Sequence, residues 1–345
     1  MHNPGSVLQA WALQEYINNQ GHNCYIIDYR PHYFYSEGNG LKHFIKKTVF
    51  HRDMKSRSIK FDSFINSNMR LTPTYYTVAE LEAEASTADI TIAGSDQLWN
   101  TDFQCGKDDA FYLDFVKSGK KASYSTSVGK KNLDANNLRQ LEKKLPLFDF
   151  ISVREKSTAE ALSFLLNREV SFVCDPVLLF SSNRYKQFVL NNRPIDDKYV
   201  MVYLAPKSPA LESLVNLYSE QGYKVILVGG FSKRCKCDCH IKDAGPLDFL
   251  TYLYYSDAVI SNSFHATAFS LLFHKQFWSI LPERNSERIE SLLSIVNLKH
   301  RGIDDTNDSV DMNTSIDWDD VDFNLNQYVE ESILFLNQVL SEVVD

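Results

Sequence analysis

At 345 residues, the chain is long enough for about two ordinary domains, and its 44% hydrophobic content is enough to bury a core, which excludes a disordered polypeptide. A net charge of -8 argues against a general nucleic-acid binder, which would present a basic surface. The sequence has neither an apolar run of membrane-spanning length nor the regions of a signal peptide, and its six cysteines form no disulfide framework, so we expect a cytoplasmic protein without a membrane span.

In the first half of the chain, short apolar strands alternate with helices. Helical periodicity over 6–19 leads to a strand at 24–28, and the polar, basic-aromatic stretch 36–75 is predicted to be a helical insertion with loops. Further strands are predicted at 88–93, 121–127, 148–153 and 170–174, with a helix at 132–144 and another that ends near 165. This alternation is typical of parallel sheets with helices on both faces.

The second half repeats this pattern after a polar junction at 181–198 that contains Pro194. Strands are predicted at 199–205, 224–228 and 257–261, and helices at 211–221, 246–255, 264–273 and 325–344. We therefore predict an α/β protein with domains at 1–180 and 181–320. The remaining segment, 321–345, would carry a C-terminal helix, for which packing back on the first domain is one arrangement.

One turn carries polar residues where a strand is predicted to meet a helix, the place at which parallel sheets bind ligands. The turn is Ser261-Asn262-Ser263-Phe264-His265-Ala266-Thr267-Ala268, in which Ser263 is a good N-cap. The N–H groups of the first helical turn would favour a phosphate or a carboxylate, and His265 could donate a proton there. A capped helix with a buried structural histidine would give the same pattern.

Two more turns could contribute to such a site. Arg154 directly follows an apolar strand, and its guanidinium matches carboxylate or phosphate unless it pairs with Glu155 or Asp175. In Gly94-Ser95-Asp96-Gln97-Leu98-Trp99-Asn100, glycine allows a tight turn, Asp96 could bind sugar hydroxyls or act as a base, and Trp99 could stack on a sugar. A capped helix with a packed tryptophan would give the same sequence pattern.

The cluster Cys235-Lys236-Cys237-Asp238-Cys239-His240 looks like a metal-binding box, but its single-residue gaps suit zinc poorly. We therefore predict neither a metal nor a cofactor.

Taken together, these turns resemble the polysaccharide pyruvyl transferase family. The resemblance spans about residues 3 to 300. It rests on Asn3-Pro4-Gly5-Ser6-Val7-Leu8-Gln9-Ala10-Trp11-Ala12-Leu13-Gln14, Gly94-Ser95-Asp96-Gln97-Leu98-Trp99-Asn100, Ser152-Val153-Arg154-Glu155, Cys174-Asp175-Pro176, Ala244-Gly245-Pro246-Leu247-Asp248-Phe249-Leu250, the His265 turn through Phe269, and Ser286-Glu287-Arg288-Ile289-Glu290-Ser291-Leu292-Leu293.

The resemblance implies a GT-B-like fold, in which two Rossmann-like domains face a cleft, with the acceptor on the first domain and the donor on the second. It also implies transfer of pyruvate from phosphoenolpyruvate to a sugar of a cell-surface polysaccharide as a ketal, with release of phosphate. Arg154, His265 and either Arg288 or Arg284 would hold the donor, and Arg288 is the better local match. The further expected substrate contacts are Asn3, Gly5, Ser95, Trp99, Asn262, Ser263 and Thr267.

As a hypothesis for the chemistry, His265 protonates the methylene carbon of the donor, and Asp96 positions or deprotonates the acceptor. The acceptor would be a glycan, a nucleotide-sugar or a lipid-linked sugar. With a lipid-linked acceptor, the enzyme would touch the inner face of the membrane without spanning it.

The sequence departs from the family pattern at two places. It begins at the Asn-Pro-Gly-Ser turn, where family members usually have a preceding strand, so the first strand is expected to be missing. Ala266 also stands where His-Gly-Thr is common. Two alternatives therefore remain, namely a GT-B glycosyltransferase with a nucleotide-sugar donor and an inactive glycan-binding or scaffold homologue.

Overall fold

The computed structural model describes residues 3–36, 50–130, 132–281, 286–306, 310 and 314–342. Its helices are α1 Pro4–Asn19, α2 Tyr33–Ser36, α3 His51–Asn68, α4 Val78–Glu84, α5 Ala135–Lys144, α6 Lys156–Leu166, α7 Ser182–Lys186, α8 Pro209–Glu220, α9 Pro246–Tyr255, α10 Phe264–Leu272, α11 Glu287–Ile295 and α12 Trp318–Leu340. Its strands are β1 Ile26–Tyr29, β2 Leu71–Tyr75, β3 Ile90–Gly94, β4 Lys120–Tyr124, β5 Ser152–Val153, β6 Ser171–Phe172, β7 Tyr199–Tyr203, β8 Lys224–Val228, β9 Cys239–Ile241, β10 Ala258–Ser261, β11 Gln276–Leu281 and β12 Gly302–Asp304.

The second half is built on one six-stranded parallel sheet in the order β12-β11-β10-β7-β8-β9. Every residue of β7 and of β10 is buried. Along β7, Tyr199, Met201 and Tyr203 belong to one hydrophobic cluster, whereas Val200 and Val202 belong to another. Successive side chains of a strand point to opposite faces, so both faces of this sheet are covered, which explains why its central strands are continuously apolar.

The first half contains shorter parallel pairings. Strand β1 pairs with β2, β3 with β4, and β5 with β6. Bridges from Ala122 to Phe150 and from Thr126 to Val153 connect the β4 segment to the β5 segment. Within the described residues, no strand pairing joins β1 and β2 to the others. The expected α/β architecture with parallel sheets is confirmed.

Helix α12 lies against the first half of the chain. Ser332 accepts a hydrogen bond of 2.8 Å from the backbone N–H of Cys174, and the Tyr328 ring packs on Phe172 at a centroid distance of 4.9 Å. Tyr16 also donates from its hydroxyl to Asn337 at 3.1 Å. The C-terminal helix therefore contributes directly to the core beneath β6.

Two local features that the sequence singles out belong to ordinary local structure. Cys239 and His240 form part of the edge strand β9, while Cys235 and Cys237 lie in the loop before it and pack beside the sheet's hydrophobic core. Burial raises the pKa of the Cys235 thiol to about 11. Ala266 lies inside α10 and is not among the residues with positive φ, so its methyl group causes no backbone strain.

Among the described residues, no helix is both long enough and apolar enough to cross a membrane.

Candidate active site

The start of α1 meets the turn that follows β3. Asn3 is the N-cap of α1, and its side chain accepts a hydrogen bond of 2.9 Å from the N–H of Gly5. One residue on, the Ser6 hydroxyl donates to Oδ2 of Asp96 at 2.6 Å. Oδ1 of Asp96 accepts from the N–H of Gln97 at 2.9 Å. Both oxygens of Asp96 are thus held in place by hydrogen bonds.

Gly5 brings the first half of the chain against His265. A Cβ atom added at Gly5 would lie 2.2 Å from Nδ1 of His265, a distance that no real Cβ can adopt. His265 lies in the first turn of α10, is 5% exposed, and contacts the Phe264 ring. Only glycine at position 5 lets the N-terminus of α1 approach this imidazole so closely.

Arg154 occupies the end of β5 and is almost completely buried, with 2% exposure. Its NH1 group donates to the carboxylate of Asp175, and its NH2 group lies 3.6 Å from Oδ1 of Asp96. The guanidinium stands 4.8 Å from the centroid of the Phe264 ring. Among the described residues, neither Nε nor NH2 of Arg154 has a hydrogen-bond partner. Arg154 therefore forms the ion pair with Asp175 and still presents unused donors.

His265 and Arg288 complete the cluster from the second half. Nε2 of His265 lies 3.6 Å from Oδ2 of Asp175 and finds no hydrogen-bond partner among the described residues. Arg288, in the first turn of α11, places NH1 3.9 Å from Oδ1 of Asp96, and its buried Nε is also without a partner there. An N–H donor that is buried without an acceptor costs free energy unless a ligand supplies the acceptor. This cluster therefore suits an anionic ligand.

The charges of the cluster act on Asp96. Burial alone would raise the pKa of Asp96, but the positive charges of Arg154, His265 and Arg288 and the Ser6 hydrogen bond outweigh it and lower the pKa to about 2. A carboxylate of such low basicity is a weak proton acceptor near neutral pH. Its geometry suits an ion-pair partner that holds the two guanidinium groups together.

A second carboxyl, Glu155, is buried next to Arg154. Its Oε1 accepts hydrogen bonds from the Ser127 hydroxyl and from the N–H of Gly129, the latter at 3.3 Å. Oε2 has no hydrogen-bond partner among the described residues. Burial raises the pKa of Glu155 even though Arg154 and Ser127 oppose that shift. Glu155 is therefore the most readily protonated carboxyl beside the two arginines.

The space enclosed by the cluster is narrow. A cavity of about 10 Å³ is lined by Arg154, Asp175, Phe264, Arg288 and Tyr328 among others. This volume corresponds to about one water molecule. A phosphate-sized ligand therefore requires the space to widen where α11 faces the end of β5.

Several of the other expected substrate contacts are already engaged within the protein. The Ser263 side chain caps α10 by accepting from the N–H of Ala266, and the Thr267 hydroxyl contacts Ser279 Oγ at 2.7 Å. The Ser95 hydroxyl donates to Gln9 at 2.6 Å. Asn262 is half-buried in the turn between β10 and α10. Ser263, Thr267 and Ser95 thus fix the backbone turns, as Asn3 does by capping α1, whereas Gly5 lies directly against His265.

Trp99 does not provide a sugar-stacking face, contrary to expectation. Its side chain is 0% exposed, stacks on Tyr112 with a centroid distance of 6.1 Å, and donates from Nε1 to the carbonyl of Phe111. The packed alternative therefore applies, because the turn after β3 directs the indole into the core of the first half. Arg284, the alternative donor contact, lies outside the described residues.

Three functional groups of the cluster were not assigned roles from the sequence, namely Ser6, Glu155 and Asp175. The sequence pattern indicates Asp175 and Glu155 only as ion-pair partners of Arg154. An Asp-Pro pair directly after a strand is a signal for a capping aspartate at the ligand-binding edge, and Asp175 does accept from the N–H of Val177 at 3.0 Å. Ser6 carries no comparable signal, because its role depends on Asp96, which is 90 residues away.

The chain is similar to known proteins in sequence and in fold. The sequence model of the family described as polysaccharide pyruvyl transferase matches residues 3–284. No curated protein matches the sequence. Among solved structures, a putative UDP-N-acetylglucosamine 2-epimerase from Listeria monocytogenes is similar with a TM-score of 0.55 and 11% identity, over 99% of this chain and 88% of that one.

The UDP-N-acetylglucosamine 2-epimerase from Rickettsia bellii is similar with a TM-score of 0.50 and 9% identity, over 98% of this chain and 95% of that one. At such low identity the likeness concerns the fold, and it confirms the GT-B-like architecture.

Proposed function

The chain belongs to the polysaccharide pyruvyl transferase family, and from that premise we propose that it transfers pyruvate from phosphoenolpyruvate to a sugar as a cyclic ketal. The observation that carries the proposal is the buried cluster in which Arg154, His265 and Arg288 all have N–H donors or ring nitrogens without partners among the described residues. Phosphoenolpyruvate carries a phosphate and a carboxylate, and guanidinium groups bind both through paired hydrogen bonds.

The proposed chemistry begins at His265. Its Nε2 gives a proton to the methylene carbon of phosphoenolpyruvate, which becomes a methyl group, and the neighbouring carbon becomes an oxocarbenium-like centre. A sugar hydroxyl adds to that centre and loses its proton to the now neutral imidazole. The C–O bond to the phosphate then breaks, a second hydroxyl of the same sugar adds to the same carbon, and its proton goes to the departing phosphate. The net products are therefore the cyclic pyruvyl ketal of the sugar and inorganic phosphate.

The neighbours of His265 would have supporting roles. Asp175, which is paired with Arg154 and lies 3.6 Å from Nε2 of His265, would orient the imidazole toward the donor. Asp96 has a pKa of about 2, so we assign it to orienting the guanidinium groups and an acceptor hydroxyl rather than to removing a proton. No step needs a metal or a cofactor.

The acceptor is proposed to be a sugar of a glycan, a nucleotide-sugar or a lipid-linked precursor of a cell-surface polysaccharide, handled in the cytoplasm. The family description gives the polysaccharide connection, and the acceptor would approach the cluster from the side of Asn3 and Asp96.

The test is calorimetric titration of the purified protein with phosphoenolpyruvate. We expect binding by the wild-type chain and a loss of about 2 kcal/mol or more in Arg288→Gln, roughly 30-fold in Kd, because one half of a charge pair is removed. Arg288 is the better target because its side chain is 18% exposed, whereas replacing Arg154 would strand the buried Asp175. Arg139→Gln, at an exposed position of α5, is the matched control and should bind normally.

Two outcomes would contradict the proposal. Binding of a uridine or adenosine diphosphate sugar in place of phosphoenolpyruvate would favour the glycosyltransferase alternative. Absence of both, with retained glycan binding, would favour an inactive homologue.

A further inference from the structure

A cluster of exposed cations lies away from the active-site arginines. Arg52 and Lys55 are exposed near the start of α3, and Lys233, Arg234 and Lys236 are exposed on the loop between β8 and β9. We call these five residues the basic face. The chain as a whole has a net charge of -8. The basic face is therefore a local concentration of positive charge on a chain that is acidic overall.

One aromatic contact joins the start of α3 to the β8–β9 loop, and a cation lies beside it. The Phe50 ring, at the start of α3, lies 5.3 Å from the Phe231 ring on the β8–β9 loop. The ammonium of Lys242 lies 5.1 Å from the centroid of the same Phe50 ring. Ile59, one turn beyond Lys55 on α3, is 57% exposed. The surface therefore combines cations with apolar side chains, as interfacial membrane-binding surfaces do.

Three of the acidic residues close to the basic face are engaged with other lysines, whereas a fourth, Asp53, lies in the first turn of α3 between Arg52 and Lys55. Asp243 accepts from Lys60 at 2.9 Å, and Asp248 lies 3.0 Å from the same ammonium. Asp238 lies 3.8 Å from Lys224. These ion pairs partly neutralise the three acidic residues, which therefore offset less of the positive charge of the basic face.

The β8–β9 loop, which carries three residues of the basic face, starts at the edge of the sheet that holds the candidate active site. It then returns to the amino end of β8, where Asp238 accepts a hydrogen bond from the N–H of Val225. The β8–β9 loop starts at the carboxyl end of β8, which ends at Val228. The turn with Ser263 and His265 starts at the carboxyl end of β10. Strands β7, β8 and β10 are parallel, so both segments emerge at the same edge.

We propose that the basic face docks the protein on an anionic lipid bilayer surface, peripherally and reversibly. Anionic headgroups attract clustered Lys and Arg side chains, and the exposed Ile59 would enter the headgroup region. The charge pattern favours a bilayer over a nucleic acid because the rest of the protein surface is acidic and would be repelled by a long polyanion that extends beyond the basic face.

The test is cosedimentation of the full chain with vesicles. Wild-type protein should sediment with phosphatidylcholine vesicles that contain about 30 mol% phosphatidylglycerol, but not with phosphatidylcholine alone, and salt should weaken the binding. Each Lys or Arg near such a surface contributes about fivefold to partitioning, so Lys55→Gln, Lys233→Gln, Arg234→Gln and Lys236→Gln combined should reduce it by at least about 100-fold.

The matched control neutralises one exposed arginine and three exposed lysines elsewhere, namely Lys117→Gln, Arg139→Gln, Lys143→Gln and Lys198→Gln, and should bind vesicles like the wild type. Thermal unfolding of both variants verifies that each is folded. Wild-type protein that stays in solution, equal losses in both variants, or binding to RNA without binding to vesicles would each overturn the proposal. Vesicle binding is measured without phosphoenolpyruvate, so this result is independent of the donor assignment.

Discussion

The contact between Gly5 and His265 is a point at which a single added methyl group should have a strong local effect. In Gly5→Ala, the new Cβ would meet the imidazole at 2.2 Å from Nδ1, so either α1 or the ring must move. We expect a loss of about 1–3 kcal/mol in the free energy of unfolding, as for other overpacked core sites.

A double-mutant cycle measured by urea unfolding separates this clash from other effects of alanine at position 5. If the clash is with the ring, Gly5→Ala should cost less in a His265→Ala background, because Nδ1 and Cγ of the imidazole are gone and only the Cβ of residue 265, 2.7 Å from the new methyl group, remains. Equal costs in both backgrounds would mean that the ring is not the obstacle. Because both residues border the candidate active site, Gly5→Ala should also weaken phosphoenolpyruvate binding.

At the residue scale, the sequence predicts which side chains stand at strand ends but not what they contact. Arg154 and His265 could be chosen because each follows an apolar strand at the binding edge of a parallel sheet. Trp99 follows such a strand too, yet it points into the core, since the direction of a side chain after a turn depends on dihedral angles that residue types do not specify. The partners Ser6 and Asp96 are far apart in sequence and meet only through the tertiary fold.

At the scale of elements, α12 supports the segment that presents Asp175. The Ser332 hydroxyl accepts from the buried N–H of Cys174, the residue before Asp175, and donates to the carbonyl of Tyr328. Ser332→Ala would leave the N–H of Cys174 without its partner, which should cost about 1–3 kcal/mol in the free energy of unfolding. Ser341→Ala, at the exposed end of the same helix, is the control and should change the stability by no more than about 0.5 kcal/mol.

Urea unfolding of both variants measures this difference. A cost as small for Ser332→Ala as for Ser341→Ala would show that α12 does not brace the Asp175 segment.

Most elements follow from sequence periodicity, and the exceptions have identifiable causes. Strand β8 and helix α9 have the bounds that hydrophobic patterning gives them. Strand β9 has only three residues, Cys239–Ile241, after a polar loop, which is too short a segment for hydrophobic patterning to mark. Strand β11 follows α10 after only a short turn in which His274 takes a left-handed conformation with φ of 49°, so no glycine or proline marks the boundary.

At the scale of the whole molecule, the candidate active site contains residues from both halves of the chain. Asp96, Arg154 and Asp175 come from the first half, whereas His265 and Arg288 come from the second. A ligand that binds all of them binds only when both halves are folded and in contact. Such a ligand should therefore raise the free energy of unfolding of both halves by the same amount.

Hydrogen exchange of the intact chain tests this coupling without any substitution. At phosphoenolpyruvate concentrations of about 100 times Kd, the slowest amides, which exchange only by global unfolding, should exchange about 100-fold more slowly, equivalent to about 2.7 kcal/mol. The slowing should be equal for amides of β4 in the first half and of β10 in the second. Pyruvate at the same concentration lacks the phosphate and should give much less protection. Slowing confined to one half would mean that the ligand contacts only that half and that the cluster seen between α1, β5, α10 and α11 is not the donor site.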